Sequence, residues 1–416
     1  MNSNADRSSP PEVLVFVGGT AILPDRLLAD AVVICRDGWI ESIGQSQPIP
    51  EASQVVDLGG NYLSPGFVDL HVHGGDGADF MDGDEEAVRT AATAHLRGGT
   101  TTLLPTSTTG SPQRIHRMID ACESISRESS EQFTATSPQD RSAVLPHVPG
   151  IHLYGPFFAD GKTGCHDRDA RRDPEPDEYR SYFDRDFVRV ATCAAELPGA
   201  ESFYRLAAAH ECLITCGHSN SSWTEMQAAF DAGMRHVDHF WCAMSSVPSL
   251  RARFQVPMQA SMTEFVLMNE EMSTEVIADG CHLAPELLEF AYRMKGPERL
   301  CLVTDANRAY GMPPGEYVFG HRESGCHFFS DANVGWTLDR TSLASSVQGM
   351  HHMVSHFAKV TSATLPDVIR MASLTPAQRV GIDAQTGSLT AGKRADLLVL
   401  DAGLQIQQIY VQGRQV

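Results

Sequence analysis

The chain has 416 residues, 42% of them hydrophobic, and a formal net charge of −20. That length suits a large barrel with a small appendage, and the charge argues against nucleic acid or an anionic membrane surface as partner, so an anionic substrate must be met by local positive charge. No apolar run approaches the ~18 residues of a membrane span, and the ten cysteines are scattered, several within apolar runs (Cys193, Cys212, Cys301), which points to reduced thiols in a cytoplasm.

In chain order, "MNSNADRSSPPE" reads as a polar, frayed tail. "EVLVFVGGTAIL", "DAVVICRDGWIESIG" and "SQVVDLGGNYLSPG" then alternate short β-rich runs with Gly and Asp turns. From "GFVDLHVHG" the texture changes to strand alternating with helix. Seven further strands are expected at "TTLLPTSTT", "GIHLYGPF", "VRVATCAAEL", "LITCGHSN", "HVDHFWCAM", "TEVIADGCHL" and "RLCLVTDAN". Helical patterns such as "DEEAVRTAATAHLRGG", "AESFYRLAAAHE", "WTEMQAAFDAG" and "APELLEFAYRMKG" follow several of them. "RESSEQFTATSPQDRSA" reads as a surface loop, and the final "GSLTAGKRADLLVLDAGLQIQQIYVQGRQV" returns to the β texture of the beginning. Eight mostly apolar, β-branched strands with intervening helices predict a parallel (β/α)8 barrel, an α/β fold. The expected division is 1–64 and 387–416 for a small β domain made from both termini, and 65–386 for the barrel.

On that reading the polar residues collect at the C-terminal ends of strands. His71 and His73 end the first, His218 the fifth, His239 the sixth and Asp305 the eighth. In a barrel these ends share one face, where active sites are built. The i, i+2 spacing of "HVH" aims both imidazoles at one point, and several imidazoles with one carboxylate suit zinc or a similar divalent ion. Each piece alone has a bland reading as a core or capping residue; the convergence of all five carries the expectation.

The same residues lie in a family signature. "LSPGFVDLHVHGG", "GIHLYGPF", "GHSN", "HVDHFWCAM", "VIADGCHL", "LCLVTDA", "SLASS" and "MASLTPAQRVGI…TGSLTAGKRADLLVLD" run in order along nearly the whole chain. In these segments the chain resembles the N-acetylglucosamine-6-phosphate deacetylases, a branch of the amidohydrolase superfamily. The resemblance implies a metal-binding barrel with a β-sandwich built from both chain ends, usually in a homodimer. Position by position it implies metal binding by His218 and His239, catalysis by Asp305, and a first metal pair at His71 and His73. It also implies sugar contacts by His166 and His282, and places Cys242 and Ala243 where the family has an Asn-Ala pair near the phosphate.

Four departures stand out. Tyr154 occupies the position of a metal-binding glutamate. "WCAM" replaces Asn-Ala-Met. "SSVPSLRARFQVPMQA" replaces a glycine-rich segment carrying a phosphate-binding arginine, for which Arg251 or Arg253 is a candidate stand-in, and "NRAYG" puts Arg308 near the expected mouth. A phenol is a poor metal ligand near neutrality, so one zinc, held by His71, His73, His218 and Asp305, is expected rather than two. His239 is then free to polarise the water or the substrate carbonyl, and Tyr154 either donates a hydrogen bond to substrate or to the metal-bound water or simply fills the wall. Glu196, at the end of the fourth strand, is a second possible source of a carboxylate for the site, or else a loop-packing residue. The expected function is metal-assisted removal of an N-acetyl group from an amino-sugar phosphate, N-acetylglucosamine 6-phosphate or a close relative. The alternatives are hydrolysis of another N-acyl small molecule, for example a carboxylated one that Arg308 would pair with, and a binding protein that kept the barrel and lost its chemistry.

Overall fold

The computed structural model describes residues 13–51, 53–131 and 144–416. The polar start of the chain and most of the expected 127–143 loop lie outside them; residues 127–131 are the last turn of a helix, Pro112–Glu131, rather than loop.

Eight parallel strands form the barrel: Phe67–Val72, Thr100–Pro105, Ile151–Leu153, Val188–Thr192, Leu213–Cys216, His236–Val237, Ser273–Ile277 and Leu300–Val303. The last six pair in sequence order, and the first pairs with the second. Two seams close the ring. Thr102 and Thr106 bridge to His147 and His152, and the Asp305 amide donates to the His71 carbonyl at 2.8 Å. The strand interiors are buried on both sides, the pattern of a sheet walled by helices. Those helices begin where the sequence caps them: Asp84 accepts from the Ala87 amide at 2.8 Å ahead of Glu85–Arg97, and Ser222 and Glu225 cap Trp223–Asp231 reciprocally. One apolar core fills the space between strands and helices, from Phe67 and Leu103 to Phe357 and Ile369.

Both chain ends share an eight-stranded sheet. Leu397–Leu400 runs antiparallel to Tyr62–Pro65, which lies beside Val13–Ile22. Along Val13–Val17 the period of two divides the apolar residues: Leu14 and Phe16 enter one core with Leu397 and Tyr410, while Val13, Val15 and Val17 face another. The sheet curls so that Ile40 on its far edge meets the C-terminal segment, with hydrogen bonds to Lys393 and Gly392.

A second, antiparallel sheet was not anticipated. Gly315–Phe319, Cys326–Ser330, Val334–Thr337 and Leu343–Ser346 form a four-stranded meander directly after the eighth barrel strand. Its strands are four or five residues long and only partly buried, so they carry little apolar periodicity. No helix among the described residues is long and apolar enough to cross a membrane. All ten cysteines are free thiols.

Candidate metal centre and substrate cavity

Period-two alternation in the first strand brings His71 and His73 to one side, and the Asp305 loop is sewn onto the same strand by backbone bonds from Asp305 to His71 and from His73 to Ala306. His73 Nε2 lies 3.2 Å from Asp305 Oδ1, and His71 Nε2 lies 3.6 Å from the same oxygen. One ligand atom from each residue falls within 4.8 Å of the others.

The tautomers follow from the other ring nitrogens. His71 Nδ1 donates to Glu275 Oε1 at 2.5 Å, and His73 Nδ1 donates to the Thr106 carbonyl at 3.2 Å. A carbonyl or ionised carboxylate only accepts, so each ring presents its Nε2 to Asp305. Both Nε2 atoms are buried and otherwise unpartnered. Two ring nitrogens turned on one buried carboxylate oxygen are a donor set that a divalent cation satisfies. The Nδ1–H bond to a carboxylate or carbonyl is also the usual device that orients a ligating histidine. The residues present therefore fit a metal ion. Burial works against a charge on His71, but Glu275, with help from Asp305 and Asp238, outweighs it and pushes the imidazole up to about 9, so a cation binding here would displace the Nε2 proton.

His218 and His239 stand beside this group. The Lys162 carbonyl accepts from His218 Nδ1, which turns its Nε2 toward His239 Nε2 at 3.3 Å. Tyr154 sits among the imidazoles, its ring centroid 4.4 Å from His71, 5.7 Å from His73 and 5.4 Å from His218. Its hydroxyl donates to His239 Nε2 at 2.5 Å. Burial, reinforced by Asp238, Asp305 and Glu275, raises the phenol well above its ordinary range, so it keeps its proton. We expect Tyr154→Phe to hold its melting temperature, because the ring packing survives, and to lose about tenfold in kcat; steady-state kinetics beside a thermal melt check this.

The backbone around these residues is held in a sparsely populated region. His218, Trp241, Ala243, Asp305 and Ser345 are non-glycine residues with φ between 46° and 72°. Such conformations persist where the surrounding structure over-determines them, and they collect at functional sites.

A cavity of about 1090 Å³ opens over this floor. Tyr154, His166, His218, His239, Cys242, Ala243, His282 and Asp305 all reach its lining, as do Lys162 and Arg168. The last two strands of the meander, with the Leu338–Ser342 loop, make its outer wall. His71 and His73 lie beneath the lining, fully buried. Burial raises the Cys242 thiol to about 12, so it faces the cavity as a neutral group.

The expected arginines lie elsewhere. Arg308 is buried, and its guanidinium is taken by Asp82 at 3.1 Å and by the carbonyls of Gly77 and Gly320. The "NRAYG" segment folds back onto the loop after the first strand, so this side chain clamps two loops together and offers nothing to a ligand. Arg251 is exposed on the helix Val247–Phe254, and Arg253 is paired with Glu225 at 2.7 Å; neither lines the cavity. Glu196 accepts from Ser219, Asn220 and Ser221, tying down the loop after the fifth strand.

Sequence reasoning passed over Glu275 and Asp238. Glu275 holds His71 and also accepts from the His239 backbone amide at 3.1 Å. Burial alone would raise its pKa, but the charge and hydrogen bonds of His71 and His236 hold it well below the usual carboxylate range. Asp238 is bonded by Thr192 at 3.0 Å and by Thr215. The available signal was a carboxylate in the middle of an apolar strand, "STEVIAD", where burial has to be repaid by a partner.

The amidohydrolase family model matches residues 62–416. The chain belongs to the amidohydrolase family. Over 399 residues it is 30% identical to the N-acetylgalactosamine-6-phosphate deacetylase of Escherichia coli O157:H7, covering 92% of this chain and 97% of that one. It is also 30% identical to the human N-acetylglucosamine-6-phosphate deacetylase, over 86% of this chain and 84% of that one. Among solved structures, the N-acetyl-D-glucosamine-6-phosphate deacetylase of Mycobacterium smegmatis superposes with a TM-score of 0.84 at 25% identity, over 97% of this chain and all of that one. This amidohydrolase accordingly has the architecture expected from its sequence, a barrel with a β-sandwich made from both termini, and it is an enzyme of the deacetylase-like branch.

Proposed function

We propose that this amidohydrolase removes the N-acetyl group from an amino-sugar phosphate, N-acetylglucosamine 6-phosphate or its galactosamine epimer. The observation that carries the reading is the convergence of His71 Nε2, His73 Nε2 and Asp305 Oδ1 on one point at the floor of the cavity. These three residues would hold a single zinc ion, and His218, which stands beside the group, is the fourth ligand in this reading. When bound, the metal supplies Lewis acidity, lowering the pKa of a water and polarising the amide carbonyl. The absence of a carboxylate at position 154 supports one ion rather than two, since the phenol is neutral and engaged with His239.

In this reading Asp305 accepts a proton from the attacking water and returns it to the departing amine, which must be protonated to leave. On substrate binding the Tyr154 hydroxyl turns from His239 Nε2 to the acyl oxygen and stabilises the charge that develops there, while His239 polarises the carbonyl. His166 and His282 hold the sugar. We assign residues 65–386 to the barrel, with the described part of 1–64 (residues 13–51 and 53–64) and 387–416 making the sandwich, and place the protein in the cytoplasm as a homodimer. The net charge and free thiols support the compartment. The resemblance to the deacetylase branch, which implies a homodimer, supports the assembly.

With Arg251, Arg253 and Arg308 directed elsewhere, the cations on the cavity are Lys162, Arg168 and His282. Burial works against a charge on His282. The hydrogen bond and charge of Asp279, whose carboxylate lies 2.7 Å from His282 Nδ1, outweigh it and raise the pKa. The imidazolium therefore persists to higher pH than a free imidazole, and an anionic substrate is held best below that raised pKa. We expect KM for the sugar phosphate to climb as pH rises through that raised pKa, and His282→Asn to flatten that climb. A KM–pH series on both proteins checks it.

The deciding experiment is acetate release from N-acetylglucosamine 6-phosphate by zinc-loaded enzyme, with N-acetylgalactosamine 6-phosphate and carboxylated N-acetyl compounds in the same panel. Turnover confined to the carboxylated compounds sinks the sugar-phosphate reading and leaves the hydrolase.

A further inference from the structure

Ser345 lies on the last strand of the meander, Leu343–Ser346, and combines three features. Its φ is 61°, a left-handed conformation that a residue with a Cβ rarely adopts. It is almost completely buried. Its hydroxyl donates to Asp305 Oδ1 at 3.3 Å, the same oxygen that faces His71 and His73.

The neighbouring backbone fixes that approach. The Ser346 amide donates to the Asp305 carbonyl at 3.1 Å, and the Asn307 amide donates to the Ser346 carbonyl at 3.0 Å. Both bonds are made by Ser346, so the end of the meander is stitched to the loop carrying Asp305 at the residue directly after the serine. In a β conformation the hydroxyl would project to a different side of the strand; the left-handed turn is what brings it onto the carboxylate. On the other side the hydroxyl faces the Cys165 thiol. A glycine would take the same φ without strain, so a side chain held here against its backbone preference points to a use for the hydroxyl.

We propose that Ser345 is a positioning residue that fixes the plane of the Asp305 carboxylate. It holds Oδ1 toward the Nε2 atoms of His71 and His73, with which it would hold a metal, and it couples the meander wall of the cavity to that floor. The inference rests on Asp305 acting as ligand and proton carrier. Hydrogen-bond partners of metal ligands typically affect metal affinity by ten- to a hundredfold, so the effect is measurable without substrate.

The test compares wild type, Ser345→Gly and Ser345→Ala as full-length apo proteins titrated with zinc against a chromophoric chelator, with melting temperatures and acetate-release kinetics on the same preparations. Both variants are expected to bind zinc about tenfold more weakly and to lose about tenfold in kcat, with KM within about twofold. Ser345→Gly, free of the backbone strain, should melt no lower than wild type. Unchanged zinc affinity in both variants overturns the proposal. So does wild-type affinity in Ser345→Gly with a loss only in Ser345→Ala, because that isolates the backbone from the hydroxyl. A fall in melting temperature that tracks the zinc loss in Ser345→Gly overturns it as well. If wild type binds zinc but leaves the sugar phosphates intact while both variants bind zinc weakly, the substrate reading fails and the role of Ser345 stands.

Discussion

Replacing Asp305 with Asn should leave a folded protein with about 10³-fold lower kcat, equivalent to about 4 kcal/mol of transition-state stabilisation. The argument starts from what the substitution keeps. Asn has the same shape, so the loop that ties Asp305 to His71 and Ser346 through the backbone is undisturbed. The amide oxygen still offers a weak ligand to a metal. What is lost is a group that takes a proton from water and passes it to an amine. If residual metal content stays high while turnover collapses, the loss lies in proton transfer; if metal and turnover disappear together, Asp305 acts chiefly as a ligand. Elemental analysis, a thermal melt and acetate release on one preparation separate these outcomes. Turnover at the wild-type rate removes Asp305 from the mechanism altogether.

The residues most legible in the sequence were those whose geometry is local. The "HVH" spacing places two imidazoles on one side of a strand by period alone, and the structure sets both against Asp305. The strands were legible because each is a short apolar run bounded by turn residues, and their ends share one face in any parallel barrel. What could not be read depends on where loops return. Arg308 was placed at the mouth because it follows Asp305 closely, but three residues are enough for the chain to reverse direction and bury the guanidinium against Asp82. The meander at 315–346 escaped notice because partly exposed strands of four or five residues carry mixed patterns. With it went Ser345, whose importance lies in a backbone angle and a contact forty residues away. Tyr154 was recognised as a substitution, yet its partner His239, on another strand, became evident only in three dimensions.

Glu275 joins the buried layer of the barrel to the metal floor, and Glu275→Ala should be the most damaging single change to stability near the site. The carboxylate is 1% exposed. It accepts from His71 Nδ1 and from the His239 amide, and His236 Nε2 lies 3.5 Å away. Truncation leaves His71 without its Nδ1 partner in a medium that solvates it poorly, and removing one member of a buried pair costs about 3–5 kcal/mol. Only part of that cost reflects the attraction between the groups; the rest is the penalty of leaving the imidazole unpaired. The same truncation frees the His71 ring to rotate or change tautomer, so zinc affinity should fall by about ten- to a hundredfold. Glu275→Gln separates the two effects. It preserves volume and a carbonyl acceptor for Nδ1–H, so the fold should survive with a small loss, while the missing negative charge weakens the basicity of His71 and the metal still binds less tightly. Chemical denaturation of the apo proteins reads the stability term, and chelator competition reads the affinity. Zinc affinity unchanged in Glu275→Gln but lost in Glu275→Ala would show that the carboxylate acts by packing and orientation, with its charge contributing nothing to the metal.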